Sequence, residues 1–114
     1  MAVTAFASGT QTASIGTEHF VSDVNQTGVY VFEVSLKNMV DGDIIVVRAY
    51  KTLLTTVAEE LVAEEFFYGA QHVPYVKLDS PDSNELTDTE SIRYSIQQTH
   101  GTGRNFDWKV LKHA

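Results

Sequence analysis

The chain contains no cysteine. Thiol catalysis, disulfide staples and cysteine-ligated zinc are therefore excluded. Cationic residues are scarce: 8 lysines and arginines stand against 15 aspartates and glutamates, a formal net charge of -7. An acidic surface repels phosphate backbones and anionic lipid, so no nucleic acid and no membrane is expected as a partner. No apolar run approaches the ~20 residues that span a bilayer. The opening Met1 to Ser8 has no basic segment and no long apolar one, and does not read as a signal peptide. The expectation is a soluble protein made in the cytoplasm. Residues 1–17 carry no charge at all, the first charged side chain being Glu18.

Catalytic and metal-binding patterns are missing too. His19, His72, His100 and His113 are not spaced i, i+4 and form no HExxH, so no zinc site is expected. The acidic groups Glu59, Glu60, Glu64, Glu65 and Asp79, Asp82, Glu85, Asp88, Glu90 lack the EF-hand order and read as solvated faces, not a calcium site. There is no GxSxG elbow, and paired carboxylates have no spatial separation that sequence can fix. No catalytic residue and no cofactor are assigned, and an enzyme is not expected. His100-Gly-Thr-Gly-Arg104 offers glycines beside an arginine, an arrangement that can hold an anion. It lacks the lysine and the helix of a phosphate loop, and is read as a hairpin loop with glycines at positive φ.

What is present is β pattern. At 114 residues, 43% hydrophobic and 20% charged, the chain suits one ordered domain spanning 1–114. The central stretch is Asp43–Leu53. Ile45, Val47 and Ala49 share one face; Arg48 and Tyr50 share the other with Ile44 and Val46. Val40-Asp-Gly-Asp43 before it is a turn in which Gly42 supplies positive φ. In Val29–Lys37, Tyr30, Phe32, Val34 and Leu36 form a core row, and this strand is expected to pair with the central one as a hairpin. Residues 1–17 read as a first strand broken at Ser8-Gly9, or as an extended arm that packs on a neighbouring subunit. Glu18–Ser22 is a short extended piece before a loop at 23–28.

Thr55–Phe67 is ambiguous, because Val57, Leu61 and Glu65 have helical spacing while Val62, Phe66 and Tyr68 fit period two. We assign a strand over Glu60–Gly69, returning to the central strand through a turn at 55–59, with a helix as the alternative. Val73–Leu78 is a strand that Pro74 confines to an edge or its start. Asp79–Asp88 is a loop. In Ser91–Gln98, Ile92, Tyr94 and Ile96 point inward, and Arg93 and Ser95 outward. A closing strand carries Phe106, Trp108 and Val110, paired with the strand before it. The fold class is all-β: an antiparallel β-sandwich of about eight strands, jelly-roll or immunoglobulin-like. Tyrosine and arginine are enriched at interfaces, so Arg48 and Tyr50 are candidates for partner binding. Phe6 on the uncharged arm and Arg104 on the glycine loop complete the candidate set.

Two stretches carry a resemblance. Ala7-Ser-Gly-Thr-Gln-Thr-Ala-Ser-Ile-Gly-Thr-Glu-His-Phe20 resembles the start of small structural proteins of tailed bacteriophages. Gln98-Thr-His-Gly-Thr-Gly-Arg-Asn-Phe-Asp-Trp-Lys-Val-Leu-Lys-His-Ala114 resembles their end, and Asn38–Leu54 is also similar. The chain departs from that pattern at Thr55–Glu59, where a glycine-rich turn is expected. The resemblance implies a non-enzymatic virion protein, a capsid decoration or cement protein on the head exterior. Its implied partners are the major capsid protein and two further copies of itself in a homotrimer. A neck or tail component and a host-glycan-binding module are the alternatives.

Overall fold

The computed structural model describes residues 3–24, 28–52, 59–78, 85–86 and 91–113. Among them are β1 (Val3–Thr12), β2 (Glu18–Val24), β3 (Gly28–Ser35), β4 (Ile44–Thr52), β5 (Glu60–Tyr68), β6 (Tyr75–Leu78), the two-residue β7 (Glu85–Leu86), β8 (Ser91–His100) and β9 (Asn105–His113). The described residues contain no helix, and so none long and apolar enough to cross a membrane.

The strands form two antiparallel sheets. Sheet A has the order β1-β9-β3-β6, with β7 beside β3; sheet B has the order β2-β8-β4-β5. The pairing is nested: β1 with β9, β2 with β8, β3 with β6, β4 with β5. The chain is thus a ribbon doubled back on itself and then rolled, which brings β9 against β3 and β8 against β4. That is the jelly roll, not the immunoglobulin arrangement.

The rolled ribbon corrects two expectations. The strand of Val29–Lys37 does not form a hairpin with the central strand; β3 lies in sheet A and β4 in sheet B. The closing strand does not pair with its predecessor either, since β9 pairs with β1 and β3. In both places a short turn carries the chain from one sheet to the other. A row of apolar residues shows which face is buried but not which strand lies alongside. The assigned strand at Glu60–Gly69 is present as β5 and returns on β4, so helix formers yield there to cross-strand pairing. The turn expected at 55–59 falls mainly outside the described residues. The loop expected over 79–88 contains β7, which extends the edge of sheet A; most of that loop is likewise outside the described residues.

The core lies between the sheets. Tyr30, Phe32, Val34 and Leu36 meet Ile45, Val47, Ala49, Ile92, Tyr94 and Ile96, and Phe106 and Val110 join them. Phe32 of sheet A stacks on Tyr94 of sheet B with centroids 4.7 Å apart. At ~25 cal/mol per Å², each such ring stabilises the sandwich by a few kcal/mol. β1 runs unbroken through Ser8-Gly9. Its irregularity is a bulge at Phe6, between the pairs Ala5–Leu111 and Ala7–Val110, and residues 3–12 are the first strand and not a free arm. The extra residue lets Phe6 pack its ring edge on Tyr30, centroids 5.5 Å apart.

Candidate functional site

Three places on the sandwich hold organised polar groups. The first is the outer face of sheet B. Period two puts Arg48 and Tyr50 on this face of β4, Glu18 and Phe20 on β2, Ser95 and Gln97 on β8, and Glu64 and Phe66 on β5. Arg48 is the hub. Its Nε donates to Glu64 Oε2 at 2.6 Å, and its Nη1 to Gln97 Oε1 at 2.6 Å and Glu18 Oε2 at 3.2 Å. The same Glu18 oxygen accepts from Tyr50 at 2.7 Å and Ser95 at 2.6 Å. Burial pushes the Glu18 carboxyl up, but the hydrogen bonds from Ser95, Tyr50 and Arg48 outweigh it and hold it below the usual carboxylate range. Burial and the bond to Glu18 push the Tyr50 phenol up. A carboxylate so supplied with donors is held charged, and the network ties β2, β4, β5 and β8 together on this face.

Apolar side chains surround that network. Opposite Tyr50, Val46 and Ile44 on β4 stand Leu61, Phe66 and Tyr68 of β5. Phe66 is 48% exposed and Tyr68 65% exposed, while Val46 beneath them is fully buried although it lies outside the core cluster. On the other flank Phe20 packs at 5.7 Å from Tyr50 and lies 3.7 Å under the Arg93 guanidinium, which also reaches Glu59 at 3.0 Å. β5 is the edge of the sheet and is exposed along most of its length.

The second place is a clamp at one end of the roll. Asp43 is 1% exposed. Its Oδ2 accepts from Val40 N at 3.0 Å and from Arg104 Nε at 2.9 Å. Burial pushes this carboxyl up, but the Val40 N–H, the Arg104 guanidinium and the Thr102 N–H more than offset it, and the net direction is down. Gln98 ties the same loop by donating to His100 O and Thr102 O and accepting from Arg104 N. Gly42 at φ 97 and Gly101 at φ 94 occupy the left-handed region, as the turn chemistry requires. Gly103 does not; it is needed because a Cβ there would collide with the Ala13 carbonyl. The loop 100–104 is thus a sheet-to-sheet turn whose arginine is spent on Asp43.

The third place is a shallow depression of about 170 Å³ on the outer face of sheet A, lined by Glu33, Ser35, Tyr75, Asp107, Trp108 and Lys109 among others. Glu33 accepts from the Tyr75 hydroxyl and lies 4.0 Å from Lys77 Nζ. Asp107 accepts from Thr10 at 2.7 Å and pairs with Lys37 at 3.3 Å.

Of the four sequence candidates, Arg48 and Tyr50 come together on sheet B. Phe6 sits in the β1 bulge against the core, and Arg104 lies in the end clamp. Sequence reasoning missed Glu18, Glu64, Ser95 and Gln97. Their outward parity was readable for β8, but the strand order that gathers them was not. Among the described residues no three His, Asp or Glu side chains group to hold a metal ion. No family model, curated protein or solved structure matches the chain.

Proposed function

We propose that the chain is a non-enzymatic structural protein of a tailed-phage virion, a decoration protein that binds the outer head surface through sheet B. The observation that carries this reading is the exposed apolar row of β5, Leu61, Phe66 and Tyr68, beside the Arg48 network and Phe20. Exposed aromatics around a rigidly held arginine are the composition of an interface centre. Because β5 is an edge strand, a capsid segment can also add to it by main-chain pairing. The resemblance of the two chain ends to phage structural proteins supplies the partner, the major capsid protein. A homotrimer at a three-fold position of the head multiplies weak contacts by avidity.

The test is the copy number of this chain per virion, by quantitative mass spectrometry against the major capsid protein. A number comparable with that of the capsid protein is expected. A small fixed number moves the protein to the neck or tail, and absence from purified virions refutes the reading.

A further inference from the structure

We infer that the depression on the outer face of sheet A binds one pyranose ring of an uncharged saccharide. A sugar ring presents an apolar C–H face and a rim of hydroxyls. Its site needs an aromatic platform and fixed acceptors and donors around it. Tyr75 is 53% exposed at the mouth. Its hydroxyl is tethered to Glu33, whose side chain is 9% exposed and which is therefore an acceptor fixed in place. Asp107 is likewise held, by Thr10 and Lys37, and a carboxylate keeps spare lone pairs after two such contacts. Ser35 and Lys109 also line the depression, and both residue types carry donors.

The other ligand classes fit less well. Glu33 and Asp107 are each paired with a lysine, so the cations beside the depression are already partly neutralised for an incoming phosphate. Among the described residues no acidic or histidine group is arranged for a metal. The volume, about 170 Å³, is below the ~300–1,000 Å³ of sites for drug-sized ligands, which suits one ring and not a nucleotide. The site faces away from sheet B, so it stays open when sheet B is covered. The inference concerns the isolated protein and does not depend on its place in a virion.

Trp108 packs inward on Phe32 and the core, so binding is read from the backbone amide NMR signals of the outward residues and not from tryptophan emission. The experiment titrates the full chain with the methyl glycosides of glucose, galactose, mannose and N-acetylglucosamine, and separately with inorganic phosphate. We expect saturable shifts of the Ser35, Tyr75 and Lys109 amide signals with at least one glycoside at millimolar concentration. Tyr75→Ala should weaken binding about tenfold or more, which is about 1.4 kcal/mol. Lys109→Ala, on the solvent side of the strand, should weaken it several-fold and provides a second check should Tyr75→Ala perturb the sheet edge. No saturable change with any glycoside, a response to phosphate alone, or titrations that both variants leave unaltered would overturn the proposal. None of these results bears on virion copy number, so the two readings fail separately.

Discussion

Asp43 shows how a single side chain can hold a loop system. Its carboxylate is buried, yet it is held charged by Arg104 and by two backbone N–H groups. Removing it leaves the Arg104 guanidinium and the Val40 N–H without their acceptor, so Asp43→Ala should cost about 3 kcal/mol at neutral pH in urea denaturation. The pH dependence has a definite sign. Asp43 and Glu18 both have folded-state values lowered from the usual carboxylate range. Their contribution is complete above the ordinary value of about 4 and is lost as pH falls through the lowered folded values. The stability gap between wild type and Asp43→Ala should therefore narrow in acid. A gap that stayed constant down to low pH would show that the charge of Asp43 is not what stabilises the clamp. The neighbouring Gly42 was readable as a turn glycine. The role of Asp43 was not, because its main partner lies 61 positions away.

At the scale of the element, β5 is the informative strand. Its residues have the composition of a helix with an aromatic end, and the structure makes them an edge strand. A bulge at Val62, between the pairs Tyr50–Leu61 and Ala49–Ala63, and the glutamates along the strand are devices that discourage indiscriminate edge pairing. Phe66→Asp alters an exposed position, so we expect it to change stability by no more than about 1 kcal/mol. The same substitution should abolish binding to purified capsids in a co-sedimentation assay. Binding retained by a folded Phe66→Asp variant would remove sheet B as the docking face. Most strands were legible because period two survives in Ile45-Val47-Ala49 and Ile92-Tyr94-Ile96. Bulges were not legible: each adds one residue and shifts parity, so Phe6, a candidate for partner binding by sequence, packs on the core instead.

For the whole molecule, the nesting of strands governs folding. Among the described strands only β4 and β5 pair as immediate neighbours in the chain, while β1 pairs with β9. Such non-local pairing pays loop-closure entropy before any contact rewards it. Refolding followed by Trp108 fluorescence in stopped flow should therefore take ~ms to s. Microsecond refolding would mean that a local hairpin carries most of the stability. A sandwich could be inferred from sequence, but the jelly-roll path could not, because nothing in a strand's own residues names a partner a hundred positions away. The doubled ribbon has one more consequence. Val3 stands opposite His113 in the pair β1–β9, within the ~5 Å of adjacent strands. Because β1 and β9 are antiparallel and Val3 and His113 stand at the same end of the pair, a force applied between these two residues would open the ladder one pair at a time, as a zipper, and not by shear.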